Sequence, residues 1–348
     1  MSEYISLEEV KIAYKKYKSY VYYDNTSLFM RQQIAEFESS NFEKRLVDLH
    51  ENIDFLIFEK NEYIDKLIQD ISYWKLPKRI PSENNNANQL LTNYRLTSNI
   101  EINDYIYYVN APIELHIICV LWIMKEGQYL VEKMDFNYGY VLDKTENNNI
   151  VSGLRLFTPY YNEYQKWRDR AITSAKNILK EKQNIGIISL DIKNFYHSVR
   201  LDFNLVEKEL IKIWKETILT KLLSKIYQFY TNLFDKEETC SNNTILPIGF
   251  LSSSILANWY LIDFDKKINE KISPVYYGRY VDDILLTVPL GKLSKYKDSK
   301  DLIKDLFEVN DILLKEENEI DIQKSEEEHK IIYKLIDYEC LEIQQEKI

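Results

Sequence analysis

The sequence predicts an α+β fold in which a small β-sheet bearing carboxylates is fronted by helices. Three observations lead there. No Gly or Pro interrupts the first 76 residues. In them Leu7, Val10, Ile12, Tyr14 and Tyr17, then Phe42, Leu46, Leu49, Ile53, Phe55 and Leu56, recur near helical spacing. The stretch Ile187-Ile188-Ser189-Leu190-Asp191 is an apolar strand that ends on one aspartate. The run from Val275 to Leu286 is β-rich and holds two adjacent aspartates, Asp282 and Asp283. It reads as a hairpin, with Gly278 and Arg279 as turn residues at its front.

At 348 residues the chain exceeds the usual single-domain size. Residues 1–75 read as an N-terminal helical extension and 76–348 as the body that carries the chemistry. A hydrophobic fraction of 45% supplies a core, and 28 tyrosines make that core unusually aromatic. Cys119, Cys240 and Cys340 form no CxxC pair, so neither a disulfide framework nor a zinc knuckle is indicated, and a reducing cytoplasm fits. The first twenty residues are charged and tyrosine-rich, unlike a signal peptide. The longest apolar run, Ile113 to Met124, is too short to span a bilayer and holds Glu114 and His116, so it reads as a core helix and no membrane partner is expected. The net charge of −10 argues at first against nucleic acid, but its distribution is uneven. Tyr160 to Tyr230 holds 13 Lys/Arg against 8 Asp/Glu, and Asp298 to Ile348 holds 7 against 16. A basic lobe beside an acidic tail is compatible with a phosphate-binding channel.

Taken in order, Trp74 to Arg79 reads as a basic turn, followed by an Asn-rich loop from Glu83 to Gln89. Lys75, Lys78, Arg79 and Arg95 are candidates for phosphate contact; the plainer alternative is a solvated face. The helix Ile113 to Met134 leads through a loop at Asp143 to Asn149 to a helical stretch from Leu154 to Lys182. There Arg168 and Arg170 share a basic surface with Lys166 and Lys176, either for phosphate or in local ion pairs. Helices fill 201 to 240. Leu246-Pro247-Ile248-Gly249-Phe250 opens a tight turn before one long helix, Leu251 to Lys267, that starts with three serines.

Adjacent strand residues face opposite ways, so Asp282 and Asp283 serve one site only if the pair lies at a turn. Two like charges there call for a cation, and carboxylate oxygens suit a hard divalent metal. The bland alternative is two solvated aspartates. Asp191, at its strand's end, is placed to join them, with the Ile192 carbonyl as a further ligand; alternatively it caps the next helix. Tyr196, five residues on, faces the same cleft. His197 has no His or Cys companions and reads as structural.

Together these motifs resemble the reverse transcriptases. Asp191 with Tyr196 is similar to that family's first palm motif. Leu246-Pro247-Ile248-Gly249 with Ser254-Ile255-Leu256-Ala257-Asn258 is similar to the second. Tyr280-Val281-Asp282-Asp283 is similar to the third, in matching order and spacing over at least 186 to 343. Asn137-Tyr138-Gly139-Tyr140 echoes a fingers motif, Ile322-Gln323-Lys324-Ser325 the lysine-bearing motif, and Tyr338 to Lys347 the hairpin after it. The stretches Ile113 to His116 and Tyr160 to Asp169 look most like bacterial defence-associated, abortive-infection-type members. Ile248 departs from the family, standing where many relatives carry a Gln.

The resemblance implies a right-hand polymerase fold with a palm sheet (motifs about 186–348), mostly helical fingers, and a thumb absent or incomplete. Either the sequence is a fragment, or a partner protein or the N-terminal helices supply the thumb's grip. It implies an RNA-directed DNA polymerase, a nucleotidyltransferase adding dNTPs to a 3′-hydroxyl on an RNA template or non-coding RNA, with DNA as product and a role in bacterial antiviral defence. It also implies two Mg²⁺ ions, with Mn²⁺ as a substitute, on Asp191, Ile192, Asp282 and Asp283. Asp191, Asp282, Asp283 and Lys324 would be catalytic. Tyr196, Pro247, Gly249, Tyr280, Lys78, Arg79 and Arg168 would contact substrate, Tyr196 by excluding a 2′-hydroxyl. Two alternatives stay open: template-independent or protein-primed synthesis, and a non-catalytic RNA-binding scaffold of the same shape.

Overall fold

A computed structural model describes residues 4–23, 27–55, 61–79, 104–132, 134–144, 153–213, 217–234, 243–291, 296–318, 330–338 and 340–343. The fold is mixed helix and sheet. Four helices come first: α1 (Leu7–Tyr23), α2 (Leu28–Ser39), α3 (Phe42–Phe55) and α4 (Glu62–Gln69). Val10, Ala13, Tyr14, Tyr17 and Val21 line the buried side of α1, and α1 packs on α5 (Ile113–Trp122). Arg45 of α3 reaches across to the buried Glu114 of α5, Nε donating to Oε1 at 2.7 Å and Nη2 to Oε2 at 2.9 Å. These helices share one hydrophobic core with the rest of the described chain.

The stretch expected as helix and basic turn is instead a strand. β1 (Ser72–Arg79) pairs antiparallel with β2 (Asp104–Asn110), register Ser72↔Asn110 through Leu76↔Ile106. Tyr73, Trp74, Tyr105, Ile106, Tyr107 and Tyr108 supply the aromatic and β-branched cross-strand partners that favour a ladder over a helix. Pro77 donates nothing to that ladder, and the register slips just after it.

The expected helix from Ile113 is continuous but not uniform. α5 widens into one π-turn, Ile123–Gly127, before α6 (Gln128–Val131). The bulge aims Glu126 inward at the start of α10 (Ile218–Asn232), where its carboxylate accepts the Leu219 and Thr220 amides, each at 2.8 Å, and the Tyr4 hydroxyl at 2.7 Å. An acid there caps the helix and meets its positive end.

α7 (Tyr160–Lys180) leads into the central three-stranded sheet. Its order is β3 (Asn184–Asp191), β5 (Asp283–Gly291), β4 (Tyr276–Tyr280), antiparallel throughout. Along β3, Ile188 and Leu190 face the core while Ile187 and Ser189 stay exposed. One sheet face buries Tyr277, Ile284 and Leu286 in the main core. On the other, Trp167 and Ala171 of α7 cover Tyr276 and Leu285. Trp167 Nε1 donates to Gly278 O at 3.0 Å and Tyr276 Oη donates to Trp167 O at 2.7 Å, fixing α7 on this face.

Between β3 and β4 come α8 (Phe195–Ser198), α9 (Phe203–Ile213), α10, α11 (Leu251–Tyr260) and α12 (Ile262–Lys271). The single helix expected from Leu251 is thus broken at Leu261, which changes where its two halves point. After β5 follow α13 (Ser299–Ile303), a π-turn (Lys304–Glu308) and a second sheet, β6 (Leu313–Asn318), β7 (Lys330–Leu335) and β8 (Glu342–Ile343). Ile343 also bridges to Ile192, joining this sheet to the end of β3.

Candidate active site

Gly278 and Arg279 are not the hairpin's turn; both lie within β4. The turn is Val281-Asp282, with Tyr280↔Asp283 as the last cross-strand pair. Two-residue hairpins need positive φ, usually supplied by Gly or Asn. Here Val281 takes it, at φ 60°. A β-branched side chain in the left-handed region costs on the order of 1–3 kcal/mol and persists only where its surroundings enforce it.

Arg279 does much of the enforcing. Its side chain is wholly buried. Nε and Nη2 grip Asp265 Oδ1 and Oδ2 at 2.9 and 2.8 Å. Nη1 donates to Asn258 Oδ1 at 3.0 Å and to Val281 O at 2.7 Å, and Nη2 to Asn258 O at 3.0 Å. All five guanidinium donors are used. Burial opposes the charge, but the Asp265 carboxylate outweighs it and holds Arg279 above its usual pKa. Tyr277 Oη adds a bond to Asp265 Oδ1 at 2.5 Å. Asn258 on α11 and Asp265 on α12, either side of the break at Leu261, reach the same guanidinium.

Residues 136–139 run along the free edge of β4. Tyr138 N donates to Arg279 O at 2.8 Å and Arg279 N to Phe136 O at 2.9 Å. Gly139 then meets the back of the turn. A Cβ there would lie 2.7 Å from Val281 Cγ2, and Asn258 Nδ2 donates to Gly139 O at 2.9 Å.

The strand register brings the carboxylates to one end of the sheet. Asp191 is the direct cross-strand partner of Asp283. Directly opposed residues project from the same face, roughly 5 Å apart at Cβ. Asp282 sits in the turn beside them, and Ile192 N donates to Asp282 O at 3.4 Å. The next residue, Lys193, is tied to the C-terminal sheet by its amide to Glu342 O at 2.8 Å.

Tyr196 lies on α8 just past Asn194, which has φ 49°. Its phenol is pushed well above the usual value, by burial first, then by nearby Tyr140 and Asp282. The Pro247–Gly249 turn docks on β2: Val109 N donates to Ile248 O at 2.8 Å, and Gly249, φ 113°, would press a Cβ to 2.5 Å from the Tyr108 ring. The small residues after it receive Tyr227, whose hydroxyl lies 2.8 Å from Ser252 Oγ and Ser253 Oγ.

The expected basic residues are not gathered equally. Lys78 Nζ extends from β1 to Asn194 Oδ1 at 3.2 Å, beside the end of β3. Arg79 closes β1 opposite Asp104, and its side chain lies outside the described residues, as do Lys324 and Arg95. Arg168 is exposed and pairs with its neighbour Asp169 at 2.9 Å. His197 packs against Tyr107, Tyr230 and Phe234.

Among the described residues, no three His, Cys, Asp or Glu side chains close around one point as a metal cage. The donor chemistry nonetheless fits a hard divalent cation. Two carboxylates opposed across a ladder, a third in the turn and adjacent main chain offer oxygen and neither nitrogen nor sulfur.

A family model described as reverse transcriptase (RNA-dependent DNA polymerase) matches residues 139–344. Among curated proteins, the Retron Ec73 reverse transcriptase of Escherichia coli is 29% identical over 174 residues, 46% of this chain. The aligned stretch spans 48% of that relative's length.

Proposed function

Because the chain belongs to the reverse transcriptase family, we propose that it is an RNA-directed DNA polymerase whose reaction centre is the end of the central sheet. In this reading that sheet with α11 and α12 is the palm, and the β1–β2 hairpin with the helices around it forms the fingers. The observation that carries the reading is the register: Asp191 opposite Asp283, with Asp282 in the turn between β4 and β5.

Asp191, Asp282, Asp283 and the Ile192 carbonyl would hold two Mg²⁺ ions, which when bound would activate the 3′-hydroxyl and neutralise charge on the transferred phosphate. The chain's own residues do the rest by placement. Lys78, whose Nζ donates to Asn194 Oδ1 beside the end of β3, would meet a triphosphate's charge. Tyr196, near Asp282, would exclude a 2′-hydroxyl. The Pro247–Gly249 turn couples the fingers hairpin to the palm, so closure of one moves the other. Tyr280, the cross-strand partner of Asp283, would contact substrate beside it, its ring packed against Tyr164 and Trp167 of α7 at centroid distances of 5.6 and 6.1 Å. Arg79 and Lys324 keep their assignments to the triphosphate and the leaving pyrophosphate, and Arg168 to the nucleic-acid backbone. The RNA strand is the expected partner and DNA the product.

The test is incorporation of labelled dNTPs on a primed RNA template with Mg²⁺, for the parent chain and for Asp191→Asn. Template-dependent product lost in the variant supports the reading. Label that stays on the denatured protein without added primer would favour protein-primed synthesis instead. Catalytically dead parent protein that still binds RNA would favour the scaffold. A defence role predicts fewer phage plaques in cells carrying the parent chain than in cells carrying Asp191→Asn.

A further inference from the structure

Beside the catalytic turn lies a cavity of about 570 Å³ that the polymerase reading does not use. Tyr280 is part of its wall, so it opens directly next to the cross-strand partner of Asp283. We propose that this cavity takes the base of one unpaired nucleotide on the nucleic-acid strand held at the turn. The proposal rests on the polymerase reading and adds a stacking site to it.

The walls have the chemistry for a base. Tyr20 and Tyr23 come from α1, Tyr140 and Phe157 from the segments flanking the loop, and Tyr160 from the start of α7. Phe157 packs edge-on to both Tyr20 and Tyr140, with centroids 6.0 and 5.2 Å away, and Tyr23 packs edge-on to Tyr160. Such a cage presents ring faces and hydroxyl rims at once, which suits a flat heterocycle with polar edges. The volume lies in the range of small-molecule sites.

The charges choose among nucleotide forms. Among the described residues, Arg155 is the one basic residue in the wall. Glu163, also in the wall, is compensated by Lys166 at 2.7 Å. One net cation matches the single phosphate of a nucleotide within a strand, whereas a free triphosphate would need several. A base inside a duplex has both faces covered by its neighbours, so only an unpaired one can enter.

The cavity is also built rather than incidental. Lys16, wholly buried in α1, spends its ammonium on the main-chain carbonyls of Gly153 and Arg155, the latter at 2.8 Å. Thr158 N donates to Val141 O at 2.8 Å and Asp143 N to Leu156 O at 3.0 Å, pairing the two loop segments behind the rings. Ordering cost at binding is thereby reduced.

The test omits divalent metal, so no incorporation is needed. A primer–template with a single-stranded template overhang carries 2-aminopurine at successive unpaired positions, and stacking on tyrosine quenches it. The expected result is quenching at one position, relieved in Tyr160→Ala and Tyr23→Ala. Overhang affinity in these variants should fall by about 5- to 150-fold, the worth of one stacked base. Tyr160→Phe should keep both properties, and a blunt duplex should bind all forms alike. Both tyrosines are more than half exposed, so their truncation spares the core. Unchanged quenching and affinity in the alanine variants, or an equal loss on blunt duplex, would overturn the proposal. So would equal quenching of free 2-aminopurine triphosphate that competes with the overhang, since the site would then take mononucleotides. Quenching as expected in a parent chain that incorporates no dNTP would overturn the polymerase reading alone.

Discussion

At the residue scale, the site depends on how a strained valine is held. The buried Arg279–Asp265 pair is weak evidence of stability by itself, because desolvation offsets most of its attraction. Its value lies in the bond from Nη1 to Val281 O, which fixes the carboxylate-bearing turn. Asp265→Asn leaves the guanidinium buried and short of a charge, so chemical denaturation should show a loss of about 3–5 kcal/mol. The double variant Arg279→Met with Asp265→Leu should recover much of that stability yet stay defective in kcat, because the turn has lost its clamp. Recovery of kcat along with stability would reduce the pair to a core contact. Gly139→Ala makes the converse case. Its Cβ must displace Val281, so incorporation should fall at least tenfold while the melting temperature moves by only a few degrees, checked by parallel kinetics and thermal scans.

At the element scale, the expected effect of Gly249→Ala is a raised KM for dNTP, measured by steady-state incorporation. The substitution strains a φ of 113° and drives a methyl into the Tyr108 ring, loosening the joint between the β1–β2 hairpin and the sheet. This joint also shows what the sequence could reveal. Asp191, the Asp282-Asp283 pair and the Pro247–Gly249 turn were legible because a strand-ending carboxylate, a double carboxylate in an apolar run and a Pro-x-Gly turn are all local signals. β1 was not, since Trp74-Lys75-Leu76-Pro77-Lys78-Arg79 is basic and holds a proline; its partner β2 lies 25 residues beyond its end, and only pairing makes it a strand. The role of Arg279 was hidden likewise. Next to a glycine it reads as turn punctuation, and its partners on α12 and α11 lie 14 and 21 residues upstream. A hint was present: Asn258 and Asp265 are seven residues apart, two helical turns, a spacing that shares a face.

At the scale of the whole molecule, one core joins the N-terminal helices to the sheet, and it buries groups that make stability depend on pH. His116 is enclosed by Tyr17 and Phe250, and among the described residues neither of its ring nitrogens has a hydrogen-bond partner. Burial lowers it to about 3, and burial with Arg200 lowers His197 to about 4. Both folded values lie below the unfolded value of roughly 6.5. The unfolded chain therefore takes up these protons first, and stability is lost as pH falls from 6.5 towards 4 and 3. Each histidine should contribute a loss of roughly 2 kcal/mol between pH 7 and 5. Urea titrations should show that slope about halved in His116→Leu; an unchanged slope would remove the assignment. None of this touches the carboxylates at the sheet's end, on which the account of function depends. The most direct test is single-turnover dNTP incorporation by Asp282→Asn on a primed RNA template, beside a thermal scan. Incorporation should fall to background with a melting temperature at or above the parent's, since one of three crowded like charges is gone. A folded variant that extends the primer at the parent's rate would contradict this expectation.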